Sequence, residues 1–209
     1  MIKLFTAPTP NGRKVSIALE EMGLEYESTL VNISKVEQFK PEFLAISPNN
    51  KIPAIVDGDT SLMESGAILM YLARKSGKLL PAEGTKDYWT VMEWLMWQMG
   101  GFGPMLGQAH HFLKFNQGKA EYAETRYRGE AARLYKVLNA HLEKSPYIID
   151  ELSIADIAIW PWASRFEWQE IDLNDYPAVK RWYEELAARP AFVKGYADPV
   201  DMGPIPLLA

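Results

Sequence analysis

The stretch Ile52-Pro53-Ala54-Ile55-Val56-Asp57-Gly58-Asp59-Thr60-Ser61-Leu62-Met63-Glu64-Ser65-Gly66-Ala67-Ile68-Leu69-Met70-Tyr71-Leu72 decides the fold of the first part of the chain. Strand-forming residues 52–57 and 61–63 flank Gly58, which predicts two short strands joined by a tight turn and therefore an antiparallel hairpin. Ser65 then precedes good helix formers from Ala67 to Leu72, the pattern of a buried helix with a serine at its start. Upstream, Pro48 halts a weaker helical stretch over Gln38 to Ile46, because the residue before a proline avoids the helical region. Tyr26 to Val31 is β-prone. Pro8, Pro10 and Gly12 break the chain, so a helix is predicted only from about Arg13. Val15, Ala18, Leu19 and Met22 form one apolar face of that helix, and Gly23 stops it. Ile2 to Phe5 is a short buried strand. The order β-α-β-α-β-β-α requires one right-handed parallel crossover and a terminal hairpin, hence a small mixed sheet with helices packed on it.

Downstream the composition changes. All seven tryptophans follow residue 80, and the first eighty residues balance nine basic against nine acidic groups. A boundary is expected within Gly77 to Thr85, separating a domain over 1–80 from one over 86–209. Residues from about Lys86 to Gln98, Tyr122 to Lys144, Ile154 to Ala163 and Ala178 to Ala188 are helix-compatible, which predicts an all-helical bundle. Gly100-Gly101-Phe102-Gly103-Pro104 is read as a helix break, since it lacks the glycine spacing and preceding strand of a nucleotide loop. The proline-rich end from Asp198 to Pro206 is expected to be irregular.

The 209 residues are 48% hydrophobic and 23% charged, the composition of a globular protein. Lys and Arg number 22 against 27 Asp and Glu, a net charge of −5 that disfavours a nucleic-acid partner. No run approaches the roughly 18 apolar residues that span a bilayer, and Met1 to Leu4 enters a strand rather than a signal segment. A cytoplasmic protein without membrane contact is expected. There is no cysteine, so any thiol chemistry must import its sulfur. His110 and His111 point about 100° apart on a helix and His141 is remote, so no metal is expected.

Three places offer donors for an anion. Thr6-Ala7-Pro8-Thr9-Pro10-Asn11-Gly12 would present Thr9 and Asn11 at a helix N-terminus, suited to a thiolate, or Asn11 is simply the N-cap. Ser47-Pro48-Asn49-Asn50-Lys51-Ile52-Pro53-Ala54 enters a strand. A cis bond before Pro53 would turn the backbone of Ile52 outward to pair with an extended peptide, and an ordinary turn is the alternative. Glu64-Ser65-Gly66 could hold a carboxylate or merely cap a helix. Ser153-Ile154-Ala155-Asp156 has capping-box spacing and is assigned to fold stabilisation. Trp94, Trp97 and Trp160-Pro161-Trp162 supply apolar surface that could line a pocket, and are read as core.

Pro48 to Ala54, Glu64 to Ile68 and Ser153 to Asp156, in that order and spacing, make the chain resemble the glutathione transferases along essentially its whole length. Ala7-Pro8-Thr9-Pro10-Asn11-Gly12 and the run from Trp97-Gln98 through Gly107 to Phe112 are most similar to the bacterial nu class of glutathione-dependent disulfide-bond reductases. The resemblance implies an α/β thioredoxin-like N-terminal domain followed by an all-α helical-bundle C-terminal domain, and a homodimer. It implies glutathione as co-substrate and a disulfide or an electrophilic small molecule as its partner. Thr9 and Asn11 would contact the glutathione sulfur, Lys51 and Ile52 its backbone, and Pro53 would be the family's cis-proline. Glu64 and Ser65 would bind the γ-glutamyl end, Gln38 would add a contact, and Arg126 would reach in from the partner subunit. Phe5 stands where other classes carry a catalytic tyrosine, a departure that argues against a tyrosine mechanism. Conjugation of electrophiles, peroxide reduction, and glutathione carriage without catalysis are the alternatives on the same fold.

Overall fold

The computed structural model describes residues 1–208 and divides into two compact units, Met1–Leu80 with Ala187–Ile205, and Pro81–Leu186 with residues 206–208. In the first unit, strands β1 (Ile2–Thr6), β2 (Tyr26–Leu30), β3 (Ala54–Asp57) and β4 (Thr60–Met63) form one sheet in the order β2-β1-β3-β4. β1 and β2 run parallel, and β3 lies antiparallel to both β1 and β4. This is the single crossover and terminal hairpin that the element order demands.

Helix α1 (Pro10–Met22) forms the crossover, and α3 (Ser65–Ser76) follows the hairpin. A tight turn at Ile33–Lys35 comes first, and the weak helical stretch over Gln38 to Ile46 resolves into a second tight turn at Glu37–Phe39 and one α-turn, α2 (Pro41–Leu44). Helix α1 begins at Pro10 rather than at Arg13. Proline at the first helical position loses no hydrogen bond, because that N–H has no intrahelical acceptor, so Pro10 starts the helix instead of delaying it. Gly23, at φ 69, ends it as expected, its N–H returning to the last turn.

Burial on α1 is wider than one apolar face, for Arg13, Lys14, Ser16 and Ile17 are buried as well. The second cover is α9 (Pro190–Ala197), which the sequence reading placed with the helical bundle but which packs on α1 in the first unit. Gly195 makes the approach possible, since a Cβ there would stand 2.6 Å from the Ile17 backbone. Ser16 Oγ donates to Gly195 O at 2.6 Å, Arg13 Nε donates to Tyr196 O at 3.1 Å, and the Arg13 guanidinium lies 3.4 Å above the Tyr196 ring. These polar groups satisfy backbone carbonyls of a segment nearly two hundred residues away, which no local pattern encodes.

The second unit is helical: α4 (Lys86–Trp97), α5 (Gly103–Ala109), α6 (Glu121–Leu142), α7 (Ile154–Ala163) and α8 (Pro177–Ala187). The glycine-rich segment does not break the helix. Gln98–Phe102 is a π-helical turn that carries α4 into α5, and a second one, His110–Phe115, extends α5. The wider turn absorbs Pro104 near its end. Gly103 is required for close packing, because a Cβ there would meet Gln98 Nε2 at 2.5 Å and Trp162 Nε1 at 3.2 Å.

Helix α7 starts with the expected capping box, Ser153 Oγ accepting from Ala155 N at 3.3 Å and Asp156 Oδ2 accepting from Ser153 N at 3.0 Å. Asp156 is fully buried and also accepts from Ile148 N and Trp182 Nε1, so its role is to lock the bundle. Trp160 is fully buried, whereas Trp94, Trp97 and Trp162 are half-buried. No described helix is long and apolar enough to cross a membrane.

Candidate functional site

Sheet register assembles the site. Phe5 pairs with Ala54 and Ala54 with Met63, so the end of β1, the start of β3 and the end of β4 lie side by side. The three candidate segments therefore share one end of the sheet: the Thr6–Asn11 turn, Lys51–Pro53, and Glu64–Ser65. This is also the carboxyl end of the parallel pair β1 and β2, the usual place for a ligand on such sheets.

At the first segment the N-cap of α1 is Thr9, not Asn11, which occupies the second helical position. Thr9 Oγ1 accepts from Gly12 N at 3.2 Å, using one lone pair and leaving the hydroxyl proton to be directed elsewhere. Capping and donation to a ligand are thus compatible functions of one hydroxyl. Gly12 was read only as a breaker, but the turn depends on it: a Cβ would stand 2.2 Å from Ala7 O and 2.4 Å from Thr6 Oγ1. Thr9 and Asn11 are half-buried, reachable from solvent.

The second segment is braced by Ser47, buried, whose Oγ donates to Lys51 O at 2.8 Å while its carbonyl accepts from Asn50 N at 2.9 Å. Asn50 sits at φ 49, the left-handed turn that reverses the chain into Lys51. The Ile52–Pro53 peptide is cis. Lys51 is exposed and Ile52 half-buried against the cluster of Val31, Phe43 and Ala54, which Phe5 also joins.

In the third segment Ser65 is the first helical residue of α3 and Glu64, not Ser65, is the N-cap. Glu64 makes no side-chain cap bond and sits at φ 72, ψ 111. A non-glycine residue held at positive φ costs free energy and points to a functional constraint on that turn. Ser65 is buried, and Lys14 Nζ donates to its Oγ at 3.2 Å. Burial lowers the Lys14 pKa to about 7, against the opposing pull of the Glu64 carboxylate. Lys14 was not anticipated, because a lysine inside an amphipathic stripe ordinarily faces water.

Gln38 lies in the turn Glu37–Phe39, half-buried, with its Oε1 buried and unpartnered. Arg126 is exposed on α6 in the second unit. A cleft of about 270 Å³ lined by Phe5, Leu30, Val31, Lys40 and Phe43 opens beside β2, but it contains none of the residues Thr9, Asn11, Lys51 or Ser65. Its lining is mostly apolar, its Lys40 is paired with Glu37 and Glu42 adds a second carboxylate, so it lacks convergent donors for an anion. No group of three or more His, Cys, Asp or Glu among the described residues could hold a metal.

Residues 1–74 match the family model of the glutathione S-transferase N-terminal domain and residues 102–190 that of the C-terminal domain. Disulfide-bond oxidoreductase YfcG of Escherichia coli is 53% identical over 199 residues, 91% of this chain and 92% of YfcG. A glutathione transferase from Pseudomonas putida, solved with one glutathione disulfide bound per subunit, superposes with a TM-score of 0.90 at 41% identity, over 95% of this chain and 91% of that one. A family member from Pseudomonas fluorescens with two glutathione bound superposes with a TM-score of 0.89 at 44% identity, over 93% of this chain and 92% of that one.

Proposed function

The chain belongs to the glutathione S-transferase family, and from that membership we propose that it is a glutathione-dependent disulfide-bond oxidoreductase whose Thr9 and Asn11 hold the glutathione sulfur as a thiolate. The observation that carries this is the alignment of three donor-bearing segments along one sheet end. Two strand-to-strand steps span about 10 Å, which is the length of three extended residues. A tripeptide laid across that end would place its sulfur at the α1 turn, its backbone beside Lys51 and Ile52 at the Pro53 junction, and its γ-glutamyl end at Glu64 and Ser65. Gln38 adds a buried acceptor, and Arg126 of a second copy completes the site in a homodimer. On this reading residues 1–80 hold glutathione, residues 86–209 select the second substrate and form the dimer, and the protein works in the cytoplasm.

A free thiol of this type ionises near ~8.5, so only a small fraction is thiolate at neutral pH. Lowering that value by about two units requires ~2.7 kcal/mol of preferential anion stabilisation. One hydroxyl, one amide and the N-terminal N–H groups of α1 supply an effect of that size, since hydrogen bonds to charged groups contribute about 1.5–3 kcal/mol each. The thiolate attacks one sulfur of a disulfide, forming a mixed disulfide and releasing the other sulfur as a thiolate that takes up a proton. A second glutathione thiolate then resolves the mixed disulfide, so two glutathiones become glutathione disulfide and the substrate gains two thiols.

The test compares glutathione-dependent turnover of a small disulfide, an aromatic chloride and an organic peroxide. Faster disulfide reduction is expected. A much better aromatic chloride or peroxide substrate reverses the assignment, and glutathione binding without turnover of any of them makes the protein a carrier.

A further inference from the structure

We infer that Arg165, stacked on Trp168 in the helical unit, is a binding residue for a carboxylate, and that it makes this protein prefer disulfides that carry one. The preference rests on the reading that the helical unit selects the second substrate, and adds the charge it selects for.

Arg165 follows α7 and opens the tight turn Phe166–Gln169. It is half-buried, and its Nε is buried with no hydrogen-bond partner. Among the described residues no carboxylate pairs with it: Glu170 is taken by Arg128 at 2.6 Å, and Glu167 is exposed. A guanidinium only donates and stays charged, so leaving one half-buried without an acceptor costs free energy that a bound anion would recover.

The acceptors around it are already engaged. Trp162 O accepts from Gln169 Nε2 at 2.8 Å and from the backbone N–H of Arg165 at 3.2 Å. Because a carbonyl only accepts, the amide nitrogen of Gln169 must face it, and the same nitrogen then donates to His110 Nε2 at 3.0 Å. Gln169 Oε1 accepts from Tyr135 OH at 2.7 Å. His110 Nε2 is therefore a filled acceptor, and the ring carries its proton on Nδ1, as a donor. Burial and the Arg165 charge keep that ring neutral, lowering its pKa to about 4. Donors outnumber open acceptors here, which is the chemistry of an anion site.

The shape selects a carboxylate among anions. Arg165 Cζ lies 4.6 Å from the centroid of the Trp168 ring, and that ring stands edge-on to His110 and Phe115, with centroids 5.5 Å apart in each pair. Stacking fixes the plane of a guanidinium and leaves its edge for two parallel N–H bonds, which match the two oxygens of a carboxylate. Lys114 Nζ, 5.9 Å from the same ring centroid, adds positive charge without a fork. The two irregular turns that carry these groups, His110–Phe115 and Phe166–Gln169, pack on each other, and π-helical turns like the first are frequent at functional sites.

The test measures glutathione-dependent turnover of three disulfides of similar length and different charge: dithiodipropionate, hydroxyethyl disulfide and cystamine. For the wild-type protein kcat/KM should fall in that order. Arg165→Met should reduce the preference for dithiodipropionate over hydroxyethyl disulfide by about tenfold or more, with the loss in KM rather than kcat. Should that variant fail to fold, Arg165→Lys carries the test, because it keeps the charge, loses the fork and should still reduce the preference. Lys114→Met should reduce it less than either. A wild-type protein without the preference, an Arg165 variant that slows both substrates alike, or a Lys114→Met that removes as much as Arg165→Met overturns the inference while disulfide reduction stands. Turnover of none of the three overturns the functional reading instead. Calorimetry then decides the site alone: dithiodipropionate bound by the wild type and about tenfold more weakly by the Arg165 variant upholds it, and equal or absent binding overturns it.

Discussion

Thr9 Oγ1 accepts the backbone N–H of Gly12 at 3.2 Å, so the hydroxyl proposed to stabilise a thiolate also caps the helix that begins beside it. A hydroxyl oxygen has room for both tasks, accepting through a lone pair and donating through its proton. The cap fixes the rotamer, and the fixed rotamer aims the donor. Stability and catalysis are therefore coupled at this residue.

Thr9→Ala should lower stability by about 1 kcal/mol through the lost cap and shift the alkaline-rising limb of the pH–rate profile upward. The loss of one charged hydrogen bond predicts about 10- to 100-fold lower turnover at neutral pH. Thr9→Ser keeps both groups and should retain most of each. A pH–rate profile and a denaturant titration on the same samples separate the two effects.

Asn11→Asp should move stability and activity in opposite directions. A carboxylate in the first turn of α1 favours the helix by about 0.3–1 kcal/mol. The same charge beside the sulfur opposes thiolate formation, raising the bound thiol pKa and cutting turnover. Ultraviolet titration of the bound thiolate and thermal melting check the opposed signs.

Gly12→Ala should be destabilising by about 1–3 kcal/mol or more. The new Cβ would stand 2.2 Å from Ala7 O, a backbone atom that cannot move without disturbing the turn that presents Thr9. Glutathione binding should fall with stability, measured by calorimetry at a temperature where the variant is folded.

Lys14 sets a slope in the pH dependence of stability. Its folded pKa of about 7 lies below the ordinary value of 10.5, so between these the unfolded chain binds the extra proton and stability rises with pH. The contribution of this one residue approaches ~1.4 kcal/mol per pH unit. Denaturant midpoints of the unliganded protein, wild type minus Lys14→Met, should climb from pH 7 toward pH 10, and a flat difference would show that Lys14 titrates normally.

Asp156→Ala should be among the most destabilising single changes in the second unit. It removes the acceptor of Ile148 N, Ser153 N, Ser153 Oγ and Trp182 Nε1 at 2.8–3.0 Å, all in a buried setting. Each orphaned buried donor costs about 1–3 kcal/mol. Glutathione contacts are not touched, so a loss of folding yield with unchanged affinity in the surviving fraction is the expected result.

Local sequence decided much of this protein. The residues around Gly58 dictate a hairpin, Gly23 a helix end, Ser153 and Asp156 a capping box, and the absence of cysteine dictates that any reactive sulfur is borrowed. These features are legible because neighbours within about four residues cause them: alternation, φ preference and side-chain caps act at short range. The tertiary structure alone decided that α9 covers α1, that Gly12 lies against Ala7 and Thr6, and that a lysine in an apolar stripe points at Ser65. It also decided that the run from Gly100 to Gly103 continues a helix through a π-helical turn instead of ending it, with Gly103 packed against Gln98 and Trp162. The physical reason is separation along the chain. Arg13 meets Tyr196, Ser16 meets Gly195 and Lys14 meets Ser65, and burial by distant segments leaves no trace in the periodicity of the segment that is buried.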